Sequence, residues 1–160
     1  MLNIKLIAVG KMKESHYIAA LSEYIKRLSP YCRFEVTELA EVRLSQNPSE
    51  AEIEAALKKE ATDIKKHISG SDYVISLCIE GKALSSEELA HLISDCANSG
   101  KSSLCFVIGS SFGLDDRFKN ESDFRLSMSR MTFPHHLARV MLAEQIYRGI
   151  MINEGRKYHK

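Results

Sequence analysis

Two apolar runs joined by a capped helix constrain this chain more than any other feature. Residues 73–79 read YVISLCI and residues 103–108 read SLCFVI, and β-branched and other apolar side chains dominate both runs. Such continuous runs are typical of strands covered on both faces. Between them, Ser85 and Glu88 form a capping-box pattern that predicts a helix to about Ala97. The order strand, helix, strand predicts an α/β fold, a parallel sheet with helices on both sides.

The other periodic segments fit the same architecture. Residues 3–9 alternate as a first strand, residues 34–39 read as a second strand, and the polar residues 40–48 are expected to form a loop. Further helices are predicted over residues 14–28, 49–67 and 134–152, the second opening on a capping-box pattern of Ser49 with Glu52. Because the chain has 160 residues without a repeat or linker, we expect residues 1–160 to form a single domain.

Composition excludes several classes of protein. The first apolar run is short and carries Lys5, which predicts a strand rather than a signal peptide, and no stretch approaches the roughly 20 apolar residues of a membrane span. The four cysteines form no C-x-x-C pair, which predicts unpaired thiols in a reducing cytoplasm. His135 and His136 are adjacent, so on a helix they point about 100° apart. We therefore expect no metal site.

The charge of the chain is unevenly distributed. The net charge is +1, but from Arg125 onwards there are seven basic residues against two acidic ones. This asymmetry suggests that the C-terminal part faces an anion such as RNA phosphates. A solvated tail with ordinary helix charges is the alternative explanation.

The last helix has polar residues on every side, so none of its faces is purely solvent-facing. A helix of this kind packs against two surfaces. In so short a chain, we expect the second surface to belong to another copy of the chain, which gives a twofold dimer. Burial inside one domain is the alternative. The helix begins at Pro134, and Thr132 is expected to accept hydrogen bonds from its first N–H groups.

Two segments could bind a ligand. The run GSSFG, residues 109–113, follows a predicted buried strand, where glycine lets the backbone approach a ligand at the carboxyl end of a parallel sheet. Leu77 would lie beside it as an apolar wall, although a plain turn explains the glycines equally well. The small residues between Met128 and Phe133 could hold a flat heterocycle through main-chain hydrogen bonds. Neither Ser127 nor Ser129 lies in a G-x-S-x-G motif, which argues against a hydrolase.

Three motifs, FVIGSSFGL, LSMSRMTFPHHLARVMLAEQIYRG and the terminal YHK, resemble the RlmH family of SPOUT-class RNA methyltransferases along the whole chain. The resemblance implies an α/β sheet with a C-terminal deep trefoil knot, S-adenosylmethionine as cofactor and a homodimer. It also implies methylation of N3 of a pseudouridine in a hairpin loop of 23S ribosomal RNA, on the assembled ribosome. Carried over by position, the cofactor contacts are Leu77, Gly109, Met128, Ser129, Arg130, Met131, Thr132 and Phe133.

Three residues are candidates for the chemistry. Arg139 would stabilise the anion of the target base, and Tyr158 and His159 would hold that base, across the dimer. Alternatively, Tyr158 and His159 belong to a frayed tail. The alternative to a catalytic role for Arg139 is a structural ion pair with Glu144 or Asp123. No general base is assigned.

The sequence departs from the family pattern at two positions. Ser110 stands where the family usually has a second glycine, and it would cost about 1 kcal/mol if that backbone needs a positive φ. Gly149, usually alanine, is a minor departure. Two other functions stay open at this point: a ribosome-binding protein without turnover, and a different nucleotide-binding enzyme.

Overall fold

Five strands and five helices form over residues 1–101 and 103–159, which are the residues that the structure, a computed structural model, describes. The strands are β1 (Leu2–Val9), β2 (Cys32–Leu39), β3 (Asp72–Ala83), β4 (Ser103–Ile108) and β5 (Phe124–Ser127). The helices are α1 (Ser15–Leu28), α2 (Glu50–Lys65), α3 (Ser86–Asn98), α4 (Asp116–Glu121) and α5 (His135–Asn153). All strand pairs are parallel, in the order β2-β1-β4-β3-β5. The predicted parallel sheet is confirmed.

The core lies on both faces of the two central strands. Alternate residues of β4 face opposite sides: Phe106 packs in a layer with Ile146 of α5, and Val107 packs in a layer with Ile64 of α2. Every residue of β4 is buried, as its continuous apolar sequence predicts. The predicted helices on both sides of the sheet are therefore confirmed.

Both capping boxes form as predicted. Ser49 Oγ accepts from the N–H of Glu52 at 3.2 Å, and the Glu52 carboxylate accepts from the N–H of Ser49 at 2.7 Å. Ser85 and Glu88 make the same two bonds at 3.1 and 2.7 Å. The cap predicted for α5 is wrong, because Pro134 is the N-cap of that helix and no side chain bonds to its first N–H groups.

The sheet extends further than the sequence predicts on its β3 side. Beyond Leu77, β3 no longer pairs with β4 and pairs with β5, across a bulge between Leu77 and Lys82. Ile79 is 52% exposed there, so the predicted cover on both faces is wrong for the end of this strand. Two short elements, α4 and β5, were not predicted. They are six and four residues long, too short for a periodic pattern.

Helix α5 packs within its own chain on several sides. It contacts α1 and α3, and its residues 135–152 are all buried or half-buried. The mixed polarity of this helix therefore does not by itself require a second copy, and the dimer stays a prediction, as does the knot. Within the described residues, no helix combines the length and apolar character needed to cross a membrane. In the same part of the chain, no group of three or more potential ligand side chains could hold a metal ion.

Candidate functional site

A cavity of about 710 Å³ lies at the carboxyl end of the sheet, beyond β4 and beside the extension of β3. Its volume is within the range of small-molecule sites, about 300–1,000 Å³. Seven of the eight residues predicted to contact a cofactor line it: Leu77, Gly109, Met128, Ser129, Met131, Thr132 and Phe133. Arg130, the eighth, is exposed and does not line the cavity. The fold thus brings segments that are far apart in sequence to one place.

The glycine turn after β4 is held closed by its own backbone. A Cβ on Gly109 would lie 2.1 Å from the carbonyl oxygen of Gly113, so any side chain at Gly109 would force the turn open. Gly113 has a φ of +89°, and its N–H donates to the carbonyl of Ser110 at 2.8 Å. Ser110 itself carries no strain, because no non-glycine residue among those described has a positive φ. The cost considered for Ser110 therefore does not arise.

Two glutamates from the first half of the chain brace this turn. Ser111 Oγ donates to Glu41 Oε1 at 2.8 Å, which ties the loop after β2 to the turn. Glu60 on α2 is buried and accepts from the N–H of Val42 at 3.2 Å. Burial raises the pKa of Glu60, and the hydroxyl of Ser110 partly opposes this shift. Sequence reasoning missed both glutamates, since each lies in a polar segment with no distinguishing motif.

Serine side chains shape the loop on the other side of the cavity. Ser127 Oγ donates to the carbonyl of Ser129 at 3.1 Å, and Ser129 Oγ accepts from the N–H of Met131 at 3.0 Å. These local bonds fix the backbone that runs from β5 to α5. They also explain why two serines alternate here without any nucleophilic role.

Arg139 does not line the cavity, although its helical neighbour His135 does. The side chain is fully buried, and its guanidinium donates to Glu38 at 2.8 Å and to the carbonyls of Val9 and Gly10 at 3.1 and 2.7 Å. Burial lowers the pKa of Arg139, and the Glu38 carboxylate opposes that shift. The residue thereby links α5 to the ends of β1 and β2, and its catalytic role stays a prediction.

The structural partners considered for Arg139 are wrong. Glu144 pairs with Arg148 one turn along the same helix, at 2.5 Å. Asp123 accepts from the N–H of Val74 at 2.7 Å. The observed partner, Glu38, is 101 positions away in sequence, a distance at which no periodic pattern could identify it.

The C-terminal tail is docked, so its description as frayed is wrong for Tyr158 and His159; Lys160 lies outside the described residues. Tyr158 donates its hydroxyl to Glu144 at 3.2 Å, and His159 Nε2 is 2.7 Å from Glu87. Burial and the Glu144 charge raise the pKa of Tyr158 to about 12, so this phenol is neutral at physiological pH. Neither residue lines the cavity of its own chain.

Sequence reasoning also missed His135, whose ring lines the cavity at the start of α5. Burial lowers its pKa, and the neighbouring His136 and Arg139 lower it further, so the imidazole is neutral at physiological pH. Its Nδ1 is buried and has no hydrogen-bond partner among the described residues. The one available signal was its position directly after Pro134, at the end of the ligand-binding loop.

The cavity is therefore walled by backbone and apolar side chains, with few ionisable groups. The Glu80–Lys119 ion pair and the neutral His135 lie at its border. No activated nucleophile is present among the described lining residues. Such a site can hold a ligand in one orientation and act by positioning it.

Comparisons with known proteins agree with this geometry. A family model described as "Predicted SPOUT methyltransferase" matches residues 2–159. The chain is 49% identical to a Clostridioides difficile (strain 630) protein named ribosomal RNA large subunit methyltransferase H, covering 99% of this chain and 100% of that one. A relative of the same name from Clostridium novyi (strain NT) is 46% identical, with the same coverage.

A solved structure from Haemophilus influenzae Rd KW20, described as a probable methylase family protein, has the same fold. It matches with a TM-score of 0.53 and 14% identity, covering 99% of this chain and 70% of that one. The family model and the full-length relatives agree with the motifs around the glycine turn and the last helix. The chain therefore belongs to the RlmH family of SPOUT methyltransferases, the family that those motifs indicated.

Proposed function

We propose that this chain transfers a methyl group from S-adenosylmethionine to ribosomal RNA of the large subunit. The observation that carries the proposal is the meeting of seven predicted cofactor contacts around one cavity. The names of the full-length relatives support the substrate class. The finer proposal is that the acceptor is N3 of a pseudouridine in a hairpin loop of 23S RNA, on the assembled ribosome. We further propose a cytoplasmic homodimer of a single knotted domain.

The residues of the cavity fit S-adenosylmethionine. Gly109 allows close approach of the main chain, Leu77 offers an apolar wall, and the loop from Met128 to Phe133 offers main-chain donors and acceptors with apolar side chains at both ends. Adenine recognition requires this combination of an apolar slot and fixed polar groups. When bound, S-adenosylmethionine supplies an activated methyl group.

The protein contributes positioning and electrostatics to the transfer. Methyl transfer requires a well-oriented acceptor, so residues that hold the target base beside the cofactor contacts would supply much of the acceleration. The acceptor nitrogen must also lose its proton. The positive charge of the buried Arg139 favours the resulting anion of the base. Pairing with Glu38 reduces this electrostatic effect. Because its phenol stays neutral, Tyr158 cannot take the proton, and to donate a hydrogen bond to the base it must release Glu144.

The tail points to a site made by two chains. Tyr158 and His159 rest on α5 and α3 of their own chain, away from their own cavity. We propose that each tail serves the cavity of a partner subunit, which would make the dimer necessary for activity.

The test is methyl incorporation from labelled S-adenosylmethionine into three substrates: free 23S RNA, isolated large subunits and whole ribosomes. We expect incorporation with assembled particles and a single modified pseudouridine on mapping. Binding of ribosomes without incorporation into any substrate would instead identify a ribosome-binding protein that lacks turnover. Competition for the cavity by NAD or ATP, but not by S-adenosylhomocysteine, would identify a different nucleotide-binding enzyme.

A further inference from the structure

Exposed apolar side chains are concentrated at the mouth of the cavity. Among the described residues five large apolar side chains are exposed, and three of them line this one cavity: Ile79, Phe112 and Met131, at 52%, 47% and 72% exposure. Single exposed apolar residues are ordinary on a protein surface, whereas a group around a ligand site marks a binding surface. We call these three residues the apolar collar.

Three separate segments build the collar. Ile79 comes from the extension of β3 beyond β4, Phe112 from the glycine turn, and Met131 from the loop before α5. The collar is therefore a product of the fold and not of one hydrophobic stretch. Its three side chains belong to the cavity lining and are also exposed to solvent.

We propose that the collar receives the target base of the RNA and that Phe112 stacks on its ring; this rests on the function proposed above. An enzyme that modifies a base must hold it outside the RNA stack, and proteins hold unstacked bases against aromatic and apolar side chains. Phe112 offers a half-exposed phenyl ring beside the cofactor contacts Gly109 and Leu77. Ile79 and Met131 complete the slot.

The ring is mounted on a braced turn, which suits it to position a substrate. The residue before it, Ser111, is bonded to Glu41 at 2.8 Å. The residue after it, Gly113, packs against Gly109 so closely that no side chain fits between them. Stacking on a fixed platform orients the base at a small cost in conformational entropy.

The charge around the collar fits RNA. Lys11, Lys13, Arg43 and Arg130 follow β1, β2 and β5 at this same end of the sheet. All four are exposed, and none forms an ion pair with any residue that the structure describes.

Several acidic groups at this end are already engaged. Glu38 pairs with Arg139, Glu14 with His136, and Glu41 bonds to Ser111. Of these three carboxylates only Glu38 meets a permanent cation, because Ser111 is neutral and His136 carries a charge only when protonated. The exposed side chains of Lys11, Lys13, Arg43 and Arg130 can contact phosphates on either side of an inserted base.

The experiment compares Phe112→Ala, Phe112→Tyr and Phe112→Leu with the wild type. The substrate is large ribosomal subunits from a strain lacking this modification, and the readout is kcat/KM for methylation. Stacking on an aromatic residue is worth about 5- to 150-fold per base, so Phe112→Ala should lose that factor and Phe112→Leu part of it. Phe112→Tyr, which keeps the ring, should stay within about threefold of the wild type.

Controls separate stacking from other effects. Ile18→Ala removes another exposed apolar side chain, on α1 and outside the cavity, and should leave kcat/KM unchanged. Affinity for S-adenosylmethionine and the mass of the protein in solution should be the same in all variants. If Phe112→Ala changes the oligomeric mass, or methylates as fast as the wild type, the base-stacking proposal is overturned.

Binding without turnover gives an independent readout. Sedimentation with large subunits should show the same loss of affinity for Phe112→Ala, and it can be measured even if the wild type transfers no methyl group. Failure of the proposed function and failure of the collar are therefore distinguishable. An unchanged affinity in this assay overturns the collar.

The salt dependence of the same binding tests the phosphate contacts. The double variant Lys11→Glu, Lys13→Glu should lower the slope of log affinity against log salt by about 0.7 to 0.9 for each phosphate that the protein no longer neutralises. The matched control is Lys26→Glu, Lys101→Glu, two exposed lysines at the end of α1 and before β4, toward the opposite end of the sheet. An equal change of slope in both double variants would show that the flanking cations make no specific contact.

Discussion

The two ends of the sheet differ in how completely their buried polar groups are hydrogen-bonded. At the amino end, Asp72 is buried and its carboxylate accepts from Lys5 Nζ at 2.8 Å, from Ser103 Oγ at 2.5 Å and from the N–H of Ser69 at 2.8 Å. At the carboxyl end, three buried side-chain nitrogens have no hydrogen-bond partner within residues 1–101 and 103–159: His135 Nδ1, His136 Nε2 and Arg139 Nε.

The difference follows from what each end does. A buried polar atom without a partner costs free energy, so a part of the fold that serves stability alone tends to satisfy such atoms. Ligands of parallel sheets bind at the carboxyl ends of the strands, and there geometry is constrained by the ligand as well as by stability. The amino end of this chain is organised for stability, and the carboxyl end accepts a cost in order to form the cavity.

The largest expected effect is that of Gly109→Val at the carboxyl end. A side chain there would collide with the carbonyl of Gly113, 2.1 Å from a Cβ, and the cavity wall would move. We expect S-adenosylmethionine binding to be lost in calorimetry. Gly70→Ala, at a glycine with no atom within 4 Å of a Cβ, is the control and should bind normally. Retained affinity in Gly109→Val would contradict the assignment of the cavity.

Asp72→Ala should produce the opposite pattern at the amino end. Removing the carboxylate leaves the hydroxyl of Ser103 and the half-buried ammonium of Lys5 without their partner. We therefore expect the free energy of unfolding to fall by about 2–4 kcal/mol. Denaturant titration measures this loss, and calorimetry should show unchanged cofactor affinity. If Asp72→Ala kept its full stability but bound the cofactor more weakly, the proposed difference between the two ends of the sheet would be wrong.

Deleting residues 158–160 tests whether the cavity is complete within one chain. The tail packs Tyr158 on Tyr147 with ring centroids 4.8 Å apart, so its loss should cost about 0.5–1.5 kcal/mol of stability. Cofactor affinity should stay intact, because the tail does not line its own cavity. Methylation should slow by about tenfold or more, since positioning of the base is lost. Equal turnover with and without the tail would place it outside the active site.

The smallest effect is expected for Glu60→Gln. Burial raises the pKa of Glu60, so at neutral pH folding must bury a charge that the unfolded chain keeps in water. The glutamine keeps the acceptor for the N–H of Val42 and removes the charge, so the variant should be more stable at pH 7. That advantage should shrink as the pH falls through the raised pKa of Glu60 and vanish below the ordinary glutamate pKa, where the carboxyl is protonated in both states. A stability difference that is constant from pH 4 to pH 7 would contradict this interpretation.

Local patterns predicted most of the fold. The two apolar runs became the central strand β4 and its neighbour β3, and both capping boxes form at the residues that the sequence indicates. These features depend on residues within a few positions of each other. The short α4 and β5 escaped prediction because what stabilises them is contact with the rest of the sheet, such as the pairing of Phe124 with Ile75.

The lining of the site was predictable where its residues belong to the recognised motifs, the glycine turn and the loop before α5. Seven of the eight predicted cofactor contacts line one cavity, because the glycine turn after β4, Leu77 of β3 and the loop after β5 lie at the same end of one sheet. The braces of that site were not predictable. Glu41 meets Ser111 across 70 positions, and a polar loop residue gives no local sign of such a partner.

Sequence alone determined the four longer strands and the four longer helices, and that the loops leaving parallel strands gather at one end of the sheet. Those properties come from short-range periodicity and from the direction of the chain. Only the tertiary structure decided that Arg139 bonds to Glu38 and to the backbone at the end of β1, and that Ile79, Phe112 and Met131 line one cavity. Both arrangements depend on the strand order β2-β1-β4-β3-β5, which brings distant segments together and which no local pattern encodes.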